Sequence, residues 1–164
     1  TELANEARLI IANNYFDVSE FHLAKKDYQI IAEQNQSEIG SQAKYQLAYL
    51  AYLESDFDQS EKIIFELADN YYSDFYIAKS FILLADIYKE KDNLFQSKAT
   101  LQSIVDNYEG EDLKVICLQK IAEIDLLNTK AQKNSQKDEL IINLLNDMEL
   151  NELFEEENTL EDEE

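Results

Sequence analysis

Proline is absent from the 164 residues, and glycine occurs only at Gly40 and Gly110. Sheet sandwiches and barrels need many tight turns, and tight turns draw on those two residues. Their scarcity, beside abundant Leu, Ala, Glu, Gln and Lys, predicts an all-α protein. The single cysteine, Cys117, excludes an intramolecular disulfide and says little about compartment. It lies among Val115, Ile116, Leu118 and Ile121, so a buried inert thiol is expected. The single histidine, His22, has no second imidazole with which to share a metal and reads as a surface or packing residue. No Gly-rich phosphate loop and no Ser-His-Asp or Cys-His arrangement can be assembled. The expectation is a non-enzyme with no cofactor and no metal. The chain begins at Thr1, so the lack of a leader segment is uninformative.

Positive charge is also scarce. Fourteen Lys and Arg face 35 Asp and Glu, for a net charge of −21. Such a field repels phosphate backbones, which argues against nucleic acid as a partner. It disfavours an anionic membrane surface too. No apolar run reaches the ~18 residues of a membrane span, so direct insertion by this segment is not expected. Apolar residues make up 45% of the chain, enough to build a core in a domain of this length.

What the sequence does have is a repeat. Gln59-Ser60, Ile64, Leu67-Ala68 and Asp69-Asn70-Tyr71 recur 37 residues on as Gln96-Ser97, Leu101, Ile104-Val105 and Asp106-Asn107-Tyr108. Leu47-Ala48, Leu84-Ala85 and Ile121-Ala122 are spaced by 37, and Ile11-Ala12 precedes them by 36. Polar clusters at 17–20, 54–56 and 91–93 read as turns between paired helices. Asp56 with Gln59, and Asn93 with Gln96, have capping-box spacing at the start of each second helix. Ser37, Ser73 and Gly110 stand where the next unit begins. Helices are predicted at about 3–17, 20–34, 38–54, 57–71, 74–91, 94–108 and 112–128, each apolar at three- and four-residue steps. Small residues fall at fixed places: Ala12, Ala48, Ala85 and Ala122 on first helices, and Ala24, Ser60 and Ser97 on second helices. Recurrence of a close helix crossing at one period is the mark of a stack.

These residues resemble the tetratricopeptide repeat (TPR) family. Leu47-Ala48, Tyr52, Ser55-Asp56-Phe57, Ser60 and Leu67-Ala68 look like its consensus, and Leu84-Ala85, Tyr88, Asp92-Asn93-Leu94, Ser97 and Ile104-Val105 repeat the match. Ile11-Ala12, Tyr15, Phe21, Ala24, Tyr28 and Ile31-Ala32 give a third. The family's closing proline is missing from every unit. The resemblance implies a right-handed α-solenoid of antiparallel helix pairs. It would span residues 1–128, with repeats at about 3–36, 37–72 and 73–109 and a half-repeat at 110–128. The long period, with Tyr71 and Tyr108 closing units, resembles the bacterial envelope subset, scaffolds akin to the outer-membrane barrel-assembly lipoprotein and the Tol–Pal accessory protein. That implies an envelope or periplasmic setting over a cytoplasmic one.

In such a stack the first helices line the concave side. The expected protein- or peptide-binding row is Phe16, Tyr45, Tyr49, Tyr52, Lys79, Ile82, Asp86 and Lys89. Rigid aromatic bodies with polar tips suit a binding surface, although the same tyrosines can pack between units. One branch of the family grips a terminal carboxylate with a basic, Asn-containing clamp. Asn13 and Lys79 match it, but Leu9, Gln46 and Leu83 do not, so that activity is not expected. Beyond the repeats, 129–137 reads as a polar connection or a frayed helix end. Residues 138–155 read as an amphipathic capping helix with Leu140, Ile141, Leu144, Leu145 and Met148 on one stripe, and 156–164 as an acidic tail. The rival role for 138–155 is docking on another chain, self-association included. The functional expectation is a non-catalytic protein–protein interaction scaffold. The alternative is a structural spacer within a larger repeat protein, with no ligand of its own.

Overall fold

The computed structural model describes the backbone of residues 1–161 and the side-chain surroundings of residues 1–145. Among the described residues there are seven helices and no strand: α1 (Glu2–Asp17), α2 (Phe21–Gln34), α3 (Glu38–Leu53), α4 (Phe57–Asn70), α5 (Asp74–Glu90), α6 (Leu94–Asn107) and α7 (Glu111–Glu161). The chain divides into two units, Thr1–Ala122 and Glu123–Glu164.

The first unit is built of helix pairs. α1 packs on α2, α3 on α4 and α5 on α6, while α3 also packs on α1 and α2, and α5 on α3 and α4. The small residues sit at the crossings as the period requires. Ala12, Ala24, Ala48, Ser60, Ala85 and Ser97 are all buried. In the second and third pairs the small residue is a serine whose hydroxyl has to be satisfied there. Ser60 Oγ donates to the Ala48 carbonyl at 2.8 Å and Ser97 Oγ donates to the Ala85 carbonyl at 2.7 Å. Around these crossings Tyr28, Ile31, Leu50, Ile64, Leu84 and Ile87 form the core, each aliphatic side chain contributing roughly 1.5–3 kcal/mol by burial.

Within the first unit, successive helix pairs are tied to each other by tyrosines as well as by apolar packing. Tyr71 Oη donates to the Ala32 carbonyl at 2.8 Å, and the Tyr72 amide donates to the Gln36 carbonyl at 3.3 Å. The expected caps are present at α4 and α6, where Asp56 and Asn93 accept from the amides of Gln59 and Gln96. Ser73 caps α5. Ser37 does not cap α3 with its side chain; Asn35 Oδ1 accepts from the Ser37 amide instead, at 2.7 Å.

Each turn from a first to a second helix is closed the same way. The amides of Glu20, Asp56 and Asn93 donate back to the carbonyls of Tyr15, Ala51 and Tyr88. The residue before each donor is left-handed: Ser19 at φ 63, Ser55 at φ 59 and Asp92 at φ 57. Glycine ordinarily fills this position, because a Cβ there costs roughly 1–2 kcal/mol. Ser55→Gly and Asp92→Gly are therefore each expected to stabilise the protein by about 0.5–1 kcal/mol, after the entropy that glycine adds to the unfolded chain. A rise in the urea midpoint at unchanged slope checks this; a fall would mean the side chains hold the turns.

In α7, Leu113, Cys117 and Ile121 are buried. The helix does not stop where the sequence predicts a connection: residues 129–137 are helical. Their Lys, Gln and Asn side chains have ordinary helix propensity, and no Gly or Pro interrupts them. In the second unit Leu144 and Leu145 are exposed. The expected contacts of Met148, Leu153 and Phe154, and the tail 156–164, lie outside the described side chains. Among the described residues, no helix is long and apolar enough to cross a membrane.

Candidate functional site

On α3, Tyr45, Tyr49 and Tyr52 stand at i, i+4 and i+7, which places them on one helical stripe. Their rings form a ladder. Tyr45 and Tyr49 are 6.3 Å apart and 4° from parallel; Tyr49 and Tyr52 are 6.3 Å apart and 13° from parallel. The ladder extends into neighbouring elements through Phe16 to Tyr49 at 5.9 Å, Tyr52 to Phe57 at 5.7 Å and Tyr45 to Tyr76 at 6.0 Å. Phe16 in turn rests on Phe21. All three tyrosines are half-buried, with one edge against the core.

Two charged groups are placed on this ladder by α5. Lys79 Nζ lies 4.8 Å from the Tyr45 ring centroid, with Phe75 and Tyr76 at 5.7 and 5.8 Å. Ammonium over a ring face is attractive by ~0.5–2 kcal/mol depending on desolvation. About two turns further on, Asp86 Oδ1 accepts from Lys120 Nζ of α7 at 2.6 Å. Burial, with help from Tyr49, Asp86 and Tyr76, pushes the Tyr45 hydroxyl up to about 12. Burial with Asp86 and Glu90 raises Tyr52 as well. Both phenols therefore stay neutral and keep a proton to donate.

Together Tyr45, Tyr49, Tyr52, Lys79, Ile82, Leu83, Asp86, Leu113 and Ile116 line a hollow of about 350 Å³. Six of the eight residues expected in a binding row are thus gathered in one place. Phe16 supports the ladder from α1. Lys89 is exposed and outside this lining. Ile82 lines the hollow but is only 8% exposed, because it falls where the consecutive first helices α3 and α5 pack. Sequence reasoning missed Tyr76, Leu113, Ile116 and Lys120. The period could have found two of them, since Ile116 stands 37 residues after Lys79 and Lys120 stands 37 after Leu83.

A larger hollow of about 550 Å³ opens between α5 and α6 beside Tyr108. Another hollow of about 370 Å³ lies among α2, α3 and α4, where the Lys44–Glu66 pair at 2.7 Å bridges it. Phe81, Ser103 and Tyr108 of the first are the periodic equivalents of Lys44, Glu66 and Tyr71 of the second. The second hollow also takes Lys25, Gln29, Ala32 and Glu33 from α2, so the two overlap at three equivalent positions only. His22 is exposed, with Nδ1 3.6 Å from Glu20. Cys117 is buried, and burial raises its thiol. Among the described residues, no three His, Cys, Asp or Glu side chains gather to hold a metal.

No family model matches the chain, and no curated protein matches it. A solved structure does. The TPR2AB-domain:pHSP90 complex of yeast Sti1 superposes with a TM-score of 0.67 at 14% identity, over 80% of this chain and 50% of that one. The fold is a TPR-like helical solenoid. The chain spans half the length of that solved chain.

Proposed function

We propose that this chain is a non-catalytic protein-interaction scaffold that holds a peptide or extended protein segment along the α3–α5 hollow. The observation that carries the reading is the tyrosine ladder with Lys79 and Asp86 at its side: aromatic faces, phenol donors, the Lys79 ammonium and the Asp86–Lys120 pair meet at one hollow. A surface of this composition suits a segment with apolar or aromatic side chains and exposed backbone carbonyls. The yeast neighbour's complex with pHSP90 supports the class of partner. Its pHSP90 ligand is not carried over, because Leu9 and Leu83 fill two of the clamp places and are buried here. That neighbour is a yeast protein, so it adds nothing to the envelope resemblance.

The test uses peptides selected on the intact chain from a displayed random library. Tyr49→Ser and Asp86→Lys are expected to weaken the selected peptides by roughly tenfold or more, the scale of one lost hot-spot contact. Phe95→Ser, on the exposed face of α6, should leave binding unchanged. Peptides that bind all three variants equally would rule out the hollow as the site.

The spacer reading rests on a different observation. Ile11 of α1 is half-bare, while its equivalents Leu47 and Leu84 are buried against the preceding second helices. Leu3 and Ile10 extend that bare face. A longer stack would cover it, and failure of every selected peptide to engage the hollow would favour this role.

A further inference from the structure

The stack itself shows what covers a first helix. Ala78, Phe81 and Ala85 of α5 face α6: Ala85 receives the Ser97 hydroxyl, and Ala78 and Phe81 share a cleft with Ser103 and Ile104. The equivalents 37 residues on are Val115, Leu118 and Ala122 of α7. Here Val115 is 51% and Leu118 53% exposed, against 8% for Ala78. A first helix without its second helix leaves an apolar face bare.

The missing second helix has a recognisable stripe. In α4 it is Ile63, Ile64, Leu67 and Ala68, at i, i+1, i+4 and i+5. The same spacing places Leu101, Ile104 and Val105 in α6. It occurs once more as Leu140, Ile141, Leu144 and Leu145, all helical and 43–60% exposed. One chain therefore carries both a face that lacks a second helix and a helical stripe of second-helix type with nothing on it.

We propose that two copies of this chain exchange these segments, the Leu140–Leu145 stripe of each covering the Val115–Leu118 face of the other. Exchange of identical elements closes on itself with twofold symmetry and gives two equal contacts. Six large apolar side chains per contact, counted twice, bring the buried area to roughly 1,200 Å², where specific association begins. The net charge of −21 opposes the approach of two copies, so association strengthens with added salt.

The test is the mass of the full chain in solution, measured over a range of concentrations. The wild type is expected to be a dimer. Leu118→Glu and Leu144→Glu each place a carboxylate in both contacts and should weaken the dimer by roughly tenfold or more. Both side chains are exposed in the single chain, so helical content should not change. Mixing the two variants is the decisive arm. A mixed pair retains one intact contact, Leu144 of the first variant on Leu118 of the second, so dimer should reappear in the mixture alone. A wild type that is monomeric at every concentration overturns the proposal. So does a monomer that melts earlier with Leu144→Glu, since the stripe would then cover its own chain. Association lost on Ile10→Glu but kept on Leu118→Glu would move the contact to α1 and overturn it as well.

Discussion

Gly40→Ala is expected to cost about 2–3 kcal/mol of stability and to lower the melting temperature by roughly 5–10 °C, at the ~2–4 °C per kcal/mol usual for this chain length. Alanine is normally the better helix residue by ~1 kcal/mol, so a loss at a helical position needs a cause. The cause is a backbone approach. A Cβ at Gly40 would stand 1.6 Å from the Asn35 carbonyl oxygen and 2.5 Å from its carbon. Neither atom can rotate aside. Asn35 is also held by the hydrogen bond that Ser37 donates to its side chain, so moving it breaks the α2–α3 corner. Gly110 provides the contrast. Its added Cβ meets the outer atoms of the Tyr108 ring, which can swing away, so Gly110→Ala should change stability far less. Thermal unfolding followed by circular dichroism checks both. Equal melting of Gly40→Ala and wild type would show that the corner yields.

Ala85→Leu should cost about 3 kcal/mol. The side chain is fully buried, and its own carbonyl receives the Ser97 hydroxyl from the crossing helix. Three added carbons must either part α5 from α6 or find a strained rotamer, and parting the helices leaves the Ser97 hydroxyl unsatisfied. Ala99→Leu, on the exposed side of α6, should stay within ~0.5 kcal/mol of wild type. Urea unfolding of the pair distinguishes a crossing from ordinary helix surface. Leu83→Ala is not a useful control: Leu83 lines the hollow but is 4% exposed, so its truncation should also be costly, by about 2–5 kcal/mol.

Most of the fold of the first unit could be read in the sequence because its signals are local and recur. Asp56 and Asn93 cap where the spacing says they should, and Ala85 and Ser97 meet where the period says they should. Where the reading fell short, the deciding quantity was not local. Lys130, Lys133 and Lys137 suggested a solvated connection, yet lysine is as content on a helix as off it, and polarity alone does not end α7. The row that includes Ile82 was read from spacing, which gives a residue's face but not how far a neighbouring helix covers it. The tyrosines fell between these cases. Their stripe was legible, while their half-burial depended on α1 and α5, which bring Phe16 and Tyr76 against the ladder.

The ladder also gives the protein an optical signature. The chain has ten tyrosines and no tryptophan, so its near-ultraviolet spectrum is a tyrosine spectrum. Three of those rings are held nearly parallel at 6.3 Å steps, close enough for their transition dipoles to couple. Their dichroic bands then depend on mutual orientation, and a segment that wedges the rings apart changes the band shape without any label. A partner carrying tryptophan would add a second readout, since tyrosine excitation in the hollow would drain to the indole and reappear as its emission.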